Sequence, residues 1–421
     1  MDYKAIIVQW MEFKIPEVMH RDINIVLDKG FIITITGPRR SGKTYMCFQL
    51  MHSLSRKNLL YLNFEDNKLL NAGADDLDKL LESFYELSDV NKDSRICLFL
   101  DEIQNVRDWD AWTRKMHDYN KNIQLIITGS SSKMLSRELS TKLRGRTLEH
   151  EIFPLSFKEF LEWRNISYNM KTLSYSRDKI GVKKAFSEYM KNGGYPALIS
   201  FDDRKTVLQS YYDTMILKDV VERHNVSDVN KLRLVANLLI ESASREISYN
   251  KLANKLKSIG VSMSKNTIIE YISYMEECYL VFQNLKYEYS LTKQLGAIKK
   301  LYVIDTGLLN AISFKYSEDN GKLLENIIYI QLRRQSREIY YHSGKNECDF
   351  IIKDGNRIIS AIQACYELND DNRDREVKGL LEAMSEHKLR EGLIITLDQD
   401  DEFIIDKKKI RVVPAWKWLL G

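Results

Sequence analysis

Apolar residues recur along this chain with two periods. Phe31-Ile32-Ile33-Thr34-Ile35-Thr36 is an unbroken apolar and β-branched run, and residues 58–64, 96–100 and 123–128 repeat the pattern. Runs of this length predict buried strands, with residues 148–153 a short last one. Between them, apolar residues return at three- and four-residue spacing. Met46, Leu50, Met51 and Leu54 follow the first run, and Leu77, Leu80, Leu81 and Phe84 share a face of an acidic stretch after the second. Both predict helices that bury one side. Trp109 and Trp112 read as packing residues on a further helix.

Past Pro154 the pattern is mostly helical. A helix opens over residues 154–161, residues 165–178 form a polar loop, and helical spacing resumes over 179–190. Gly193-Gly194-Tyr195-Pro196 then makes a turn. Residues 203–224 predict one long helix with Val207, Tyr211, Met215, Ile216 and Val220 inward. Residues 228–300 predict three helices, the first marked by Leu232, Val235, Leu238 and Leu239, the others capped by Ser248 and Ser264. Two strand-like stretches follow, 279–287 and 299–304, and residues 301–421 read helix, three strands, helix, strand. The expected division is a core at 1–165, a helical connector at 166–227, and domains at 228–300 and 301–421.

A length of 421 residues fits roughly two to four domains. The net charge of +4 neither demands nor excludes nucleic acid and argues against a polybasic membrane binder. Five cysteines (Cys47, Cys97, Cys278, Cys348 and Cys365) are scattered with no C-x-x-C. That removes a zinc module and a disulfide framework, and fits a reducing cytoplasm. No apolar run approaches the roughly 20 residues of a bilayer span, and no signal pattern opens the chain, so a cytoplasmic location without a membrane partner is expected.

The first strand runs into Gly37-Pro38-Arg39-Arg40-Ser41-Gly42-Lys43-Thr44, a G-x-x-x-x-G-K-T sequence that precedes a helix. Strand, glycine loop and helix is the context in which backbone N–H groups converge on phosphate oxygens. Lys43 would reach the β- and γ-phosphates of ATP and the Thr44 hydroxyl would bind Mg²⁺. Asp101 and Glu102 stand at the end of the central apolar run, where ligands bind in open parallel sheets. Asp101 is placed to hold Mg²⁺ and Glu102 to polarise the attacking water. After the next strand, Thr128 and Ser130 either contact the γ-phosphate or the water, or belong to an ordinary Ser-rich turn with Ser131 and Ser132. In Lys142-Leu143-Arg144-Gly145-Arg146 an arginine either stabilises charge on the transferring phosphoryl group, in cis or from a neighbouring subunit, or is solvated. Arg21 either borders the nucleotide base or belongs to an N-terminal cover of the sheet.

The segments GPRRSGKT (37–44), LFLDEIQ (98–104), IITGSSS (126–132), LRGR (143–146) and FPLSFKEFL (153–161) resemble the AAA-like P-loop ATPases of the archaeal ATPase group, whose members often carry a C-terminal domain of unknown function. The resemblance covers nearly the whole chain. It implies an α/β P-loop NTPase core with a parallel sheet of about five strands, ATP at residues 37–44, and Arg146 as the best arginine of its cluster.

Residues 228–300 resemble a winged helix, which would dock on DNA or on protein; Glu270, Glu276 and Glu277 make the third helix less basic than phosphate contacts favour. Residues 301–421 resemble the restriction-endonuclease-like nuclease fold, with Glu325, Glu347 and Asp349 as a second metal site. Gln363-Ala364-Cys365 stands where that fold has E-x-K, so a third carboxylate and the lysine are missing, unless a shifted lysine such as Lys353 replaces it. Lys407-Lys408-Lys409 is either a solvated hairpin tip or a contact to a phosphate backbone. The expected function is a Mg²⁺-dependent ATP-hydrolysing switch for the C-terminal modules. The alternative is an ATP-gated nuclease or DNA-binding ATPase acting on DNA or RNA. A protein partner fits either, and the oligomeric state is open.

Overall fold

A computed structural model describes the chain apart from residues 28–29, 91–93, 132–142, 144, 314–318 and 336. Ser132, Lys142 and Arg144, singled out above, lie outside the described residues. The chain divides into two compact units, Met1–Phe153 and Pro154–Gly421.

The first unit opens with α1 (Tyr3–Glu12), capped by Asp2, whose carboxylate accepts from the Ala5 N–H at 3.0 Å. Ile6, Ile7 and Trp10 are buried, and the Trp10 indole donates to the Leu59 carbonyl at 2.9 Å. Strands and helices then alternate: β1 (Ile32–Thr36), α2 (Lys43–His52), β2 (Leu59–Asn63), α3 (Ala74–Leu87), β3 (Ile96–Asp101), α4 (Trp109–Tyr119), β4 (Ile123–Gly129) and β5 (Thr147–Glu151). The strands form one sheet in the order β2-β3-β4-β1-β5, and every pairing is parallel. Every residue of β1, β3 and β4 is buried. Helices covering both faces of a parallel sheet require such continuous apolar runs. This is the P-loop NTPase architecture expected for the core. Leu77, Leu80, Leu81 and Phe84 of α3 are buried together, as their spacing predicts.

The second unit begins with α5 (Phe157–Trp163), held by a capping box between Ser156 and Glu159. There follow α6 (Asp178–Asn192), α7 (Arg204–Thr214), α8 (Val229–Glu241), β6 (Arg245–Ile247), α9 (Tyr249–Ser258), α10 (Lys265–Glu277), β7 (Val281–Lys286), α11 (Leu291–Gly296), β8 (Lys299–Val303), α12 (Thr306–Ile312), α13 (Asn320–Arg334), β9 (Glu338–Ser343), β10 (Glu347–Asp354), β11 (Arg357–Ala364), α14 (Arg373–Glu386), β12 (Glu391–Thr396), β13 (Asp401–Ile405), β14 (Lys408–Pro414) and α15 (Ala415–Trp418). The long helix expected over 203–224 is α7 followed by a wide-turned π segment, Met215–Glu222. There Asp219 is buried beside Met215, Ile216 and Val220, and Arg223 lies 3.7 Å from its carboxylate.

One mixed sheet of nine strands runs through this unit in the order β13-β14-β12-β11-β10-β9-β7-β8-β6. The expected break at 300 falls inside β8, which pairs with β6 and β7, while β7 continues the sheet by pairing with β9. An open strand edge is a template for further pairing, so helical punctuation in the sequence does not mark where a sheet ends. Asp406 and Lys407 take positive φ at the tip between β13 and β14. Among the described residues no helix is long and apolar enough to cross a membrane.

Candidate active site

The glycine loop leaves the C-terminal end of β1 and enters α2. Gly37 has φ +148°, and a Cβ there would lie 2.1 Å from the Ile152 carbonyl oxygen, so only glycine fits. Gly42, at φ +100°, caps α2 without a side-chain hydrogen bond, which leaves the first N–H groups of the helix open to an anion. Arg21 braces the loop from behind: its guanidinium donates to the carbonyls of Ser41 and Phe153, both at 2.8 Å. It is a structural strut rather than a base contact. Arg39 pairs with Glu65 at 2.7 Å, and Arg40 occupies a left-handed position on the exposed turn of the loop.

Lys43 is 5% exposed, and its ammonium lies 3.2 Å from the carbonyls of both Gly37 and Pro38. It is 3.3 Å from Glu102 Oε1. The Thr44 hydroxyl donates to Asp101 Oδ2 at 2.7 Å, and the Tyr61 hydroxyl donates to the same oxygen at 2.8 Å. The Thr128 hydroxyl donates to the other oxygen of Asp101 and accepts from the Glu102 N–H at 2.9 Å. Glu102 takes a left-handed backbone conformation, φ 55°, directly after β3, and Gln104 donates to its Oε2 at 2.5 Å. A non-glycine residue held there is strained, which is common where a side chain is aimed for function. Ser130, one residue past β4, is fully buried.

The two adjacent carboxylates are tuned in opposite directions. Burial raises the Asp101 carboxyl and the Glu102 charge adds to it, while hydrogen bonds from Thr128, Thr44 and Tyr61 pull it back. Burial also pushes Glu102 up, but the Lys43 charge and the Gln104 amide outweigh it, so Glu102 lies below the usual carboxylate range. The residues fit a magnesium nucleotide. The loop keeps its tight turn because only glycine fits beside the Ile152 carbonyl at position 37. The Ser41 hydroxyl is buried with no hydrogen-bond partner among the described residues. Thr44 and Asp101 form a hard-oxygen pair of the kind Mg²⁺ takes.

Arg146 does not join this site. It precedes β5, and its guanidinium grips Asp118 at the end of α4 (Nε–Oδ1 2.8 Å, Nη2–Oδ2 3.2 Å). Because β5 runs parallel to β1, Arg146 lies at the opposite end of the strand from the loop, roughly 16 Å away over five residues. Position in the chain brings it close to the motif; strand direction takes it away.

The acidic residues of the second unit lie around a cleft of about 830 Å³. Glu325 on α13 and Asp349 on β10 are there, with Glu347 half-exposed at the rim. They surround a residue the sequence reading missed. Lys300, on β8, has its ammonium 3.1 Å from Glu325, 2.5 Å from Glu347 and 2.7 Å from Asp349. Burial and Asp349 push the Glu325 carboxyl up, and Lys300 and Tyr302 pull it back.

Among the described residues, the three-donor group whose ligand atoms lie within 4.8 Å of one another is His342, Glu386 and His387. The metal triad expected of Glu325, Glu347 and Asp349 is not gathered in that way, because the three converge on an ammonium. Lys353 pairs with Glu338 at 2.7 Å and does not supply the missing lysine. Gln363 donates to Glu376 of α14 at 2.6 Å, so the carboxylate absent from β11 is present on the neighbouring helix. The available signal for Lys300 was a pair of lysines opening a short, otherwise apolar strand, Lys299-Lys300-Leu301-Tyr302-Val303, with the second of the pair buried.

Comparison with known proteins agrees with this geometry. Residues 29–161 match the AAA domain family. Residues 183–319 and 320–418 match two domains of unknown function, DUF8612 and DUF4143. A solved structure, the Walker-type ATPase of Pyrococcus abyssi, is similar at 12% identity and a TM-score of 0.45, over 68% of this chain and 91% of that one. An uncharacterized protein of Methanocaldococcus jannaschii is 37% identical, over 99% of this chain and 95% of its own. An uncharacterized protein of Haemophilus influenzae is 30% identical, over 93% of this chain and 95% of its own. Loop, carboxylate pair and family match lead to one conclusion: residues 29–161 of this chain are an AAA domain with a P-loop ATPase site, and the chain belongs to one family with these proteins of M. jannaschii and H. influenzae.

Proposed function

We propose that the chain is a cytoplasmic, Mg²⁺-dependent molecular switch, in which ATP binding and hydrolysis by the first unit set the state of the second. The observation that carries the hydrolytic part is the unbroken line of contacts from Lys43 through Glu102 and Thr128 to Asp101 and Thr44. Lys43 would hold the β- and γ-phosphates, and Thr44 with Asp101 would hold the metal. Bound Mg²⁺-ATP supplies the transferable phosphoryl group and the cation that neutralises its charge. Glu102, kept anionic by Lys43 and Gln104, accepts a hydrogen bond from the attacking water and orients it. Thr128 fixes the spacing between the two carboxylates. Five free, buried cysteines accord with a reducing compartment.

Glu102→Gln should bind ATP and hydrolyse it at least ~100-fold more slowly, and Lys43→Ala should lose binding. Limited proteolysis of the second unit reads the switch. Glu102→Gln with ATP should give a fragment pattern unlike that of the nucleotide-free protein. Absence of Mg²⁺-dependent phosphate release by wild type would refute the hydrolytic part, and identical patterns would refute the switch. The second unit's partner is a protein or a nucleic acid. Filter binding of DNA and RNA across a salt series separates these, since phosphate contacts weaken as salt rises.

A further inference from the structure

Lys300 is the most heavily engaged buried cation of the second unit's cleft, and the ATPase chemistry does not use it. It is 3% exposed. Its strand, β8, is hydrogen-bonded on both sides, with Lys300 in register with Glu246 on β6 and Asn284 on β7. The backbone is therefore fixed, and the ammonium is delivered to one place. There it donates to Glu325 at 3.1 Å and to Asp349 at 2.7 Å, and a Glu347 carboxylate oxygen lies 2.5 Å away as a third ion-pair partner. A lysine ammonium has three donors and no more.

Both oxygens of Asp349 and one of Glu325 are also committed. Asp349 Oδ1 takes Lys300 and Oδ2 takes the Ala364 N–H at 2.9 Å. Glu325 Oε1 takes Lys300 and the Tyr302 hydroxyl at 2.8 Å. Gln363, on β11, adds no charge, and its amide is occupied on both sides: the carbonyl accepts from the Asp349 N–H at 3.2 Å and the nitrogen donates to Glu376 at 2.6 Å. Glu376 itself is paired with Arg375. Mg²⁺ and Mn²⁺ require oxygens drawn in to roughly 2.0–2.2 Å. These carboxylates are spread to the distances of N–H···O bonds instead.

We propose that the Lys300 ammonium is the resident cation of this cleft, standing where a divalent metal would otherwise be held by Glu325 and Asp349, and that it closes the second unit to metal-dependent cleavage. The lysine is then a lock on a carboxylate site. Removing the ammonium should convert the same carboxylates into a hard-cation site.

Nucleotide-free protein titrated with Mn²⁺, followed by calorimetry and by the spin signal of free Mn²⁺, tests this. Wild type and Asp349→Asn should take up Mn²⁺ alike. Lys300→Met, which keeps an unbranched apolar stem and removes the ammonium, should gain about one Mn²⁺ per chain, and Lys300→Met/Asp349→Asn should lose it again. Comparing these variants subtracts any uptake at the nucleotide site. The melting temperature of Lys300→Met should rise more with Mn²⁺ than that of wild type or of Lys300→Met/Asp349→Asn. A wild-type Mn²⁺ site abolished by Asp349→Asn would overturn the proposal by showing the cleft open to metal, and this holds even if Lys300→Met fails to fold. A folded Lys300→Met that gains no Mn²⁺ would overturn it by showing that these carboxylates make no cation site.

Discussion

Thr128 joins the two carboxylates, so replacing it with valine is an informative perturbation. Valine keeps the shape and the β-branch and removes only the hydroxyl. Two interactions go with it, the donation to Asp101 and the acceptance from the Glu102 N–H at 2.9 Å. A hydrogen bond to a charged group contributes about 1.5–3 kcal/mol, and a buried N–H left unpaired costs about 1–3 kcal/mol. Much of this is paid in ground and transition state alike. The part that appears in the rate is the loosened aim of Glu102, whose strained backbone the hydroxyl helps to hold. We expect kcat for phosphate release to fall about 10–100-fold, equivalent to roughly 1.4–2.7 kcal/mol, with ATP affinity changed much less. Thr128→Ser should recover most of the loss. Because Thr128 acts through Glu102, the valine should have little further effect in Glu102→Gln. Equal factors in both backgrounds, or a Thr128→Val rate within about twofold of wild type, would refute this positioning role.

Arg146→Ala should leave kcat of the isolated chain within about twofold of wild type, since its partner is the surface residue Asp118; a loss of 100-fold would place an arginine in the reaction after all. Asp305 offers a test by pH. It caps α12, accepting from the Leu308 N–H at 3.1 Å and the Gly194 N–H at 2.7 Å, and burial pushes its carboxyl up to about 6 against those backbone bonds. A folded-state value above the unfolded one means that the native state binds the proton more tightly. Stability from this group is therefore fully present below about pH 3.8, is lost as pH rises through about 6, and is level above about pH 7, a total loss of about 3 kcal/mol. Asp305→Asn keeps a carbonyl acceptor and should remove that slope. Urea melts at pH 4, 5 and 7 would check it, and parallel profiles for the two proteins would disprove it.

Much of the first unit was legible because its determinants are local. A strand buried on both faces must be apolar along its whole length, so β1, β3 and β4 announce themselves as runs. The phosphate loop needs glycine where the backbone turns against Ile152, and a lysine and a hydroxyl at the start of a helix; all of these are neighbours in the chain. Asp101 and Glu102 were legible for the same reason, since they end a recognisable strand.

What only the tertiary structure decided is long-range. Arg146 is close in sequence to the motif residues that suggested its role, yet parallel strand direction sends it to the far end of the sheet. Tyr61 and Thr128 reach Asp101 because β2 and β4 flank β3, an order that local pattern does not encode. The second unit shows this most clearly. Lys300 meets Glu325, Glu347 and Asp349 from a strand that sequence reading assigned to a different domain, because one sheet runs across that boundary. The carboxylates were visible in the sequence; the cation among them was not, because charge pairing is settled by which side chains the fold brings within about 3 Å, and the chain separates these by 25 to 49 residues.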